Sequence, residues 1–207
     1  MIHNLSKQLF FLSTIFISSC ALAQDDYSLR LYHGKVTSSN FTQIIGGKTS
    51  SGNDDLRVTS LDAGYLLAPS FYDLPIDIYI KSGFSYFDEA NTQSDIYELT
   101  LYLKVYWNID LLENRFRLGI GDGISYTSDI LTWEYEESID RDDKNSKVLN
   151  YLDVSIDFDV GKLLGYKPLD EIYFGWAIKH RSGINGTFGG VQHSGSNYTG
   201  FYIESNF

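Results

Sequence analysis

The sequence has one cysteine and three prolines, and it has no apolar stretch of about 18 residues or more. A single cysteine excludes a disulfide framework, and the missing apolar stretch excludes a transmembrane helix. Sustained helical periodicity is scarce as well, which argues against an α-helical domain. The net charge is −11 and no basic patch stands out, so nucleic acid is not predicted as a partner. No metal-ligand spacing is present, and neither a metal nor a cofactor is predicted.

The N-terminal segment has the features of an export signal. Lys7 precedes an apolar run over residues 9–17, and an Ala-Leu-Ala sequence ends at Ala23. The run is too short to span a membrane, and small residues of this kind mark a cleavage site. We therefore expect residues 1–23 to be a secretory signal peptide that is removed on export. A second interpretation stays open, in which Cys20 ends a lipoprotein signal and becomes acylated.

The remainder, residues 24–207, suits a single domain. Its dominant pattern is strict alternation, as in the apolar row Ile76, Ile78 and Ile80 with polar or tyrosine residues between. Because successive side chains of a strand point to opposite faces, this pattern predicts strands with one apolar face. Eight strands are predicted, at approximately 27–35, 56–67, 75–87, 95–108, 114–127, 148–160, 170–182 and 197–207. Alternation alone does not separate a membrane barrel from a soluble sandwich.

Three further features favour a membrane barrel. Aromatic residues cluster near predicted strand ends, as they do at membrane interfaces, and long loops alternate with short turns along the chain. The last strand ends in Phe207, which is typical of the signal that outer-membrane proteins present to the barrel-insertion machinery. The sequence therefore predicts an all-β fold, an eight-stranded antiparallel transmembrane β-barrel of the bacterial outer membrane. A barrel of this size has its interior filled by side chains, so inward charges should be paired. A soluble periplasmic sandwich stays open as the alternative.

The stretch from Ile172 to Ser182 has two potentially reactive side chains on the apolar face of a predicted strand. Its even positions are apolar or aromatic as far as Ile178, and then become His180 and Ser182. With both termini in the periplasm this strand ends at the cell surface, so both side chains should face lipid at the outer-leaflet level. The same face of the last strand should bring Asn197 beside His180. A histidine can take the proton of a serine nucleophile when a third group orients its ring. The His-x-Ser spacing also arises by chance, so this prediction rests on the position of the two residues on the lipid-facing side of the strand.

The segment Lys179-His180-Arg181-Ser182-Gly183, followed by a loop and a terminal aromatic strand, resembles the lipid A 3-O-deacylase (PagL) family. The segment Gly-Asp-Gly-Ile-Ser-Tyr at residues 121–126 is also similar to a stretch found among relatives of that family. The resemblance covers the barrel plan and the C-terminal part of the chain well, and the N-terminal half poorly. It implies His180 as general base and Ser182 as the nucleophile that attacks the ester of the primary acyl chain at the lipid A 3-position.

Two positions depart from that family. Its members place a glutamate on the last strand to orient the histidine, where this chain has Asn197. They also tend to carry an asparagine directly after the nucleophile, as an oxyanion donor, where this chain has Gly183. Asn185 or backbone N–H groups of residues 183–190 are the candidates to replace that donor. Activity without the carboxylate is left open, since losing it costs about four orders of magnitude in serine proteases.

Three other features are weighed as functional candidates. His193 lies in a Gly- and Ser-rich loop, where a solvated surface histidine is favoured over a second base. Glu204 falls on the lumen face of the last strand and is rejected as the missing acid. Acidic residues concentrate in the loop over residues 128–147, which is interpreted as solvated. The alternative for that loop is a site for the divalent cations that bridge anionic lipopolysaccharide.

The sequence therefore predicts an outer-membrane esterase that removes the 3-O-linked acyl chain of lipid A, with lipid A or lipopolysaccharide and the outer membrane as partners. The main alternative is a non-enzymatic small barrel with a structural or surface-binding role. Acyl transfer of the palmitoyltransferase kind is disfavoured, because it uses a lipid-filled lumen and the inward rows here are charged. The sequence leaves open whether the chain forms a homodimer.

Overall fold

A computed structural model of the chain describes residues 26–50, 52 and 55–207. The expected signal peptide, its cleavage site and Cys20 lie outside these residues. The strands are β1 (Tyr27–Val36), β2 (Arg57–Ala68), β3 (Ile76–Asp88), β4 (Ile96–Leu111), β5 (Asn114–Thr127), β6 (Val148–Asp159), β7 (Ile172–Ser182) and β8 (Gly195–Asn206). The connections contain helices α1 (Phe41–Ile45), α2 (Thr132–Asp140) and α3 (Val160–Leu164), and 3₁₀ turns at Phe71–Asp73 and Lys167–Leu169.

The eight strands form one closed antiparallel barrel, in which each strand pairs with its sequence neighbours and β8 pairs with β1. The predicted fold is confirmed, and the observed strand ends lie within three residues of the predicted ones. The largest difference is at the end of β4, because Leu111 still pairs with Asn114 across a two-residue turn. Leu112 and Glu113 in that turn have φ values of 52° and 62°, the backbone conformation that a tight hairpin of right-handed twist requires.

The outer wall of the barrel is apolar and the lumen is polar. On β4, Leu99, Leu101 and Leu103 are exposed on the outer wall. The residues that alternate with them, such as Glu98 and Lys104, are buried in the lumen. A soluble barrel would place its apolar side chains inside, so this wall is suited to contact with lipid.

The charges of the lumen are paired with one another. The ion pairs there include Lys81–Glu204 (2.7 Å), Arg117–Asp157 (2.9 Å), Arg30–Asp153 (3.0 Å) and Lys104–Asp153. Buried tyrosine rings such as Tyr102 and Tyr106 occupy the space between these charges. The lumen is therefore a packed polar core, as the strand number predicts.

The two ends of the barrel differ. One end carries the β2–β3, β4–β5 and β6–β7 connections, and the other carries the loops 37–56, 89–95, 128–147 and 183–194. We call the second end the loop end; β7 runs toward it and β8 runs away from it. Helices α1 and α2 lie in loops of this end, and the alternation in the sequence predicts neither of them.

Among the helices of the described residues, none is both long enough and apolar enough to cross a membrane.

Candidate active site

The end of β7 presents two polar side chains on the outer wall of the barrel. Lys179 and Arg181 are buried in the lumen, so His180 and Ser182, which alternate with them, project outward. The register of β7 and β8 pairs His180 directly with Asn197, which lies on the same face. The strand geometry therefore brings together the three residues that the sequence singles out.

Asn197 connects His180 to the first loop of the loop end. Atom Nδ1 of His180 lies 2.8 Å from Oδ1 of Asn197, and Nδ2 of Asn197 donates to the carbonyl oxygen of Ser39 at 3.3 Å. With the amide in this orientation its oxygen can only accept, so Nδ1 of His180 carries the proton. The other ring nitrogen, Nε2, keeps its lone pair, which is the state that a general base needs.

His180, Ser182 and Asn197 line a cleft of about 260 Å³ at the loop end. Residues 37–42 form part of its wall, and there the ring of Phe41 lies 5.1 Å from the ring of His180. Within the described part of the chain, no hydrogen bond joins His180 to Ser182. Such contacts are often long in ligand-free enzymes and shorten when substrate binds. The cleft thus combines a base, a hydroxyl and space for a ligand.

Glu134 of α2 holds both strands of the site from inside the barrel. Its Oε1 accepts a hydrogen bond from Nε of Arg181 at 2.8 Å and another from Oγ of Ser196 at 2.7 Å. Arg181 directly follows His180 in the chain, and Ser196 directly precedes Asn197. The three contacting side chains are buried, so water screens these interactions little. One carboxylate therefore sets the spacing of the two strand ends that carry the outward-facing residues.

Two more carboxylates of the acidic loop bind the end of the loop between β7 and β8 and the first residue of β8. Glu137 accepts the backbone N–H of Gly195 at 3.1 Å, and Asp143 accepts the backbone N–H groups of residues 192–194 at 2.6–3.0 Å. Burial acts to raise the pKa of Asp143, but the backbone donors outweigh it and hold that pKa well below its usual range. The sequence predicts a solvated acidic loop, but these three carboxylates instead bind another part of the chain.

Charged side chains from α2 and from the residue that follows it reach the cleft. Glu137 and Arg141 both line it and lie 3.3 Å apart. Burial raises the pKa of Glu137, while the guanidinium of Arg141 acts in the opposite direction. Burial also raises the pKa of Glu134. Both carboxylates are bound by donors of the protein, so neither replaces Asn197 as the observed partner of His180.

Comparison with known proteins is informative at the level of structure. No family model matches the chain, and no curated protein matches its sequence. The chain shares the fold of the outer-membrane enzyme PagL. A crystal structure of that enzyme superposes with a TM-score of 0.60 over 87% of this chain and 99% of that chain, with 9% identical residues. A crystal structure of Neisserial surface protein A (NspA) superposes with a TM-score of 0.49 over 89% of this chain and 98% of that chain, at 11% identity.

The likeness to PagL shows an eight-stranded barrel of the outer-membrane type. At 9% identity this likeness shows the fold alone and assigns no activity.

The predicted oxyanion donors lie in the loop after Ser182 and are not among the residues that line the cleft. Gly183 is buried, and a Cβ atom there would lie 2.0 Å from the carbonyl oxygen of Val191. No side chain fits at this position, which explains a glycine where the PagL family tends to have asparagine. Asn185 is exposed, with a φ of 50°. The roles of Gly183 and Asn185 as oxyanion donors stay predictions.

Asn150 on β6 is a neighbour of Ser182 that the sequence does not single out. The two residues pair directly across β6 and β7. Directly opposed residues of antiparallel strands have Cβ atoms about 4.5–5.5 Å apart. Atom Nδ2 of Asn150 donates to Oδ1 of Asp122 at 2.9 Å and to the carbonyl oxygen of Gly123 at 3.0 Å. An amide held by a carboxylate therefore lies beside the predicted nucleophile, and only the register of β6 and β7 reveals it.

The structure also places His193 and Glu204, the other two residues that the sequence analysis weighs. His193 is exposed and lines the cleft, and its backbone N–H is bound by Asp143. Glu204 lies in the lumen, as its position on β8 predicts, and it binds Lys81 at 2.7 Å. Among the described residues, no group of three or more His, Cys, Asp or Glu side chains is arranged to hold a metal ion.

Large apolar residues in the sequence of the acidic loop are a sign that this loop is anchored. Leu131 belongs to a buried apolar cluster at the loop end that also contains Val36 and Leu56, and Trp133 packs against this cluster. Large apolar residues inside an otherwise acidic loop indicate a segment that is fixed to the core rather than solvated.

Proposed function

We propose that this chain is an outer-membrane esterase that removes the 3-O-linked primary acyl chain of lipid A. The observation that carries the proposal is the hydrogen bond between His180 and Asn197 on the outer wall, with Ser182 in the same cleft. A base and a hydroxyl at the rim of a lipid-facing wall are placed to act on an ester that is itself in the membrane. The fold shared with the outer-membrane enzyme PagL supports this function.

The outer wall near the cleft suits a lipid substrate. On the same strands, farther from the loop end, Phe174, Trp176 and Phe201 help to line an apolar groove of about 240 Å³. An acyl chain whose ester lies at Ser182 can follow this wall without entering the barrel. The packed and charged lumen has no room for a lipid chain, which argues against acyl transfer from inside the barrel.

The proposed mechanism has two steps. Atom Nε2 of His180 takes the proton from Oγ of Ser182 while Oγ attacks the carbonyl carbon of the ester. The bond between that carbon and the sugar oxygen then breaks, and His180 gives its proton to the sugar oxygen. A water molecule attacks the serine-bound acyl group with His180 again as base, the bond between the acyl carbon and Oγ of Ser182 breaks, and His180 returns the proton to Oγ as the fatty acid leaves. Throughout, Oδ1 of Asn197 accepts from Nδ1 of His180 and faces the positive charge that forms on the ring.

The location and export of the chain are parts of the same proposal. Residues 1–23 are proposed to act as a cleaved signal peptide, and Phe207 to be read by the barrel-insertion machinery. Phe207 exchanges backbone hydrogen bonds with Tyr27 at 2.9 and 3.0 Å, so this aromatic residue takes part in closing the barrel. Lipid A in the outer leaflet is then the substrate that the cleft meets.

Mass spectrometry of lipid A from a Gram-negative host tests the function. The host expresses the wild type, Ser182→Ala, or the control Ser82→Ala, which removes an exposed serine from the same wall on β3. We expect lipid A to lose the mass of one primary hydroxyacyl chain with the wild type and Ser82→Ala. Lipid A should stay intact with Ser182→Ala, because the nucleophile is gone.

Heat-modifiable gel mobility shows that each variant is folded in the membrane. Intact lipid A beside a folded wild-type barrel contradicts the esterase proposal. That result favours a non-enzymatic barrel that binds other molecules through its loops, a role to which the carboxylate-bound loop end is suited.

A further inference from the structure

A cluster of charged side chains lies on the outer wall at the loop end of β1 and β2. Lys35 and Arg57 pair across the two strands, and each contacts the carboxylate of Asp55 at 2.7 Å. The side chains of the three residues are about half-exposed, at 45%, 48% and 56%. We call them the basic cluster. Lys35 and Arg57 together have more N–H donors than Asp55 can accept, and the nearest further acid in the strand register is Asp88, which is exposed directly opposite Arg57.

The basic cluster marks the edge of the apolar wall. Lys35 alternates with Gly34 and Val36, which are buried, so it projects outward. On the same face, farther from the loop end, Leu31 and Leu61 are 43% and 48% exposed and belong to the apolar wall. Lysine and arginine are tolerated at such a boundary because their long side chains reach the polar head groups of the lipids.

The basic cluster lies beside the candidate active site. Thr199 on β8 pairs with Lys35 on one side and with Ile178 on the other, so β8 alone separates β1 from β7. Neighbouring strands are about 4.8 Å apart, which puts the cluster about 10 Å across the wall from β7. Thr37, two residues beyond Lys35, is part of the wall of the cleft.

The tilt of the strands brings the cluster to the level of the candidate base. Directly paired residues can be followed from one strand to the next around the barrel. The row that starts at Ser28, near the beginning of β1, reaches Ser196, at the loop end of β8. Rows followed in strand order therefore climb toward the loop end, as tilt in a closed barrel requires. Measured along the barrel axis toward the loop end, Lys35 lies about 6 Å above Ile178, two strands away in the same row. His180 lies about 5 Å above Ile178 along the same axis. The cluster thus begins level with His180 and extends beyond it toward the head-group region.

We propose that the basic cluster binds a phosphate group on the head group of the glycolipid whose ester lies at Ser182. Arginine pairs with two phosphate oxygens at once, and lysine adds a compact positive charge. The chain as a whole carries a net charge of −11, so two adjacent cations on the outer wall do not follow from a basic composition. The inference rests on the proposed esterase function. It adds that the substrate is recognised through a phosphorylated head group as well as through its ester.

Lipid binding tests the inference without turnover. The Ser182→Ala chain, and the same chain with Lys35→Gln and Arg57→Gln, are folded in micelles and titrated with phosphorylated lipid A and with its dephosphorylated form. We expect the double substitution to weaken binding of the phosphorylated lipid about tenfold or more and to leave binding of the dephosphorylated lipid unchanged. Arg115→Gln in the Ser182→Ala chain is the matched control, because Arg115 pairs with Asp110 at 2.8 Å at the opposite end of the barrel.

Equal binding of the two lipids by the parent chain, or an equal loss with Arg115→Gln, overturns the inference. Inorganic phosphate distinguishes the two sources of the group. If the basic cluster binds the lipid head group, phosphorylated lipid A stays bound in millimolar phosphate. If inorganic phosphate displaces the lipid, the cluster is a site for the free anion and the lipid assignment is overturned. A wild-type chain that binds phosphorylated lipid A through the cluster and never cleaves it disproves the esterase function and leaves the binding site standing.

Discussion

At the scale of single residues, Asn197 makes two contacts that a carboxylate cannot make together. Its Oδ1 faces Nδ1 of His180, and its Nδ2 donates to the carbonyl oxygen of Ser39. A glutamate or aspartate has only acceptor atoms when ionised, so one of its oxygens would face the Ser39 carbonyl with no proton between them. Because Phe41 of the same loop packs on His180, the amide couples the orientation of the base to the order of that loop.

Replacing Asn197 tests its role beside His180. We expect Asn197→Ala to lower kcat for lipid A deacylation about 100-fold, because the ring loses the acceptor that keeps Nδ1 protonated. Asn197→Asp keeps an acceptor and should retain more activity than the alanine variant. Rates on micellar lipid A, followed by mass spectrometry, give the comparison. A wild-type rate in Asn197→Ala would show that Asn197 does not orient the base.

Glu134 is a positioning residue that acts through Arg181 and Ser196. Glu134→Gln removes the charge and keeps an acceptor, so we expect the free energy of unfolding to fall by about 1–3 kcal/mol. The rate of deacylation should fall with little change in KM, because the ends of β7 and β8 lose their common attachment. Urea unfolding and steady-state kinetics measure the two effects. Asp140→Asn, an exposed site on the same helix, is the control and should change neither quantity.

At the scale of elements, α2 and the β7–β8 loop form one unit. Glu134, Glu137 and Asp143 come from the same loop, and each accepts hydrogen bonds from β8 or from the residues just before it. Leu131 and Trp133 fix the start of this unit to the apolar cluster at the loop end. The acidic loop is therefore part of the scaffold that positions the cleft.

The contact of Asp143 with residues 192–194 makes a prediction about pH. Because the pKa of Asp143 is lowered in the folded state, its contribution is present above the ordinary aspartate pKa and is lost only as pH falls through the lowered value. Hydrogen exchange of residues 192–194, corrected for intrinsic rates, should be equally slow at about pH 5 and pH 8. Asp143→Asn should speed this exchange about tenfold, since a neutral amide binds the three N–H groups less well.

Asp142→Asn is the matched control for that experiment, because Asp142 is exposed and adjacent. Exchange that is equally fast in both variants would show that the charge of Asp143 does not hold the loop.

At the scale of the whole molecule, the barrel has a polar packed interior and an apolar exterior, the reverse of a soluble protein. The interior is stable only because its charges are paired, as in the contacts of Glu204 with Lys81 at 2.7 Å and Arg117 at 3.6 Å. The exterior is stable only where lipid replaces water. Both properties follow from the same alternation of side chains along each strand.

A single charge on the outer wall tests its contact with lipid. Leu103, near the middle of β4, is 52% exposed, and Leu112, in the β4–β5 turn, is 89% exposed. We expect Leu103→Lys to lower the free energy of unfolding in lipid vesicles by about 2–4 kcal/mol, and Leu112→Lys to change it by about 1 kcal/mol or less. Urea titration of vesicle-inserted barrels measures both. Equal small effects would mean that water, and not lipid, surrounds the middle of β4.

The local alternation of side chains is sufficient to predict the strands, their faces and the neighbours of each strand. Alternation is a local property, so strand ends are predictable to within three residues, and consecutive antiparallel strands usually pair with each other. The same local rule placed His180 and Ser182 on the outer wall. Counting faces back from Phe207 placed Asn197 on that wall too, because β7 and β8 are consecutive strands.

The walls of the cleft and the contacts that hold them depend on residues that are distant in the chain. Asn197 and Ser39 are 158 residues apart in the chain, and Glu134 and Arg181 are 47 apart, so no local pattern links them. Several partners of the acidic loop are backbone N–H groups, which no residue pattern identifies, so its sequence is that of a solvated loop. Closure of the barrel brought β1 beside β8 and strand tilt set the level of the basic cluster. These are properties of the closed sheet as a whole and not of any one strand.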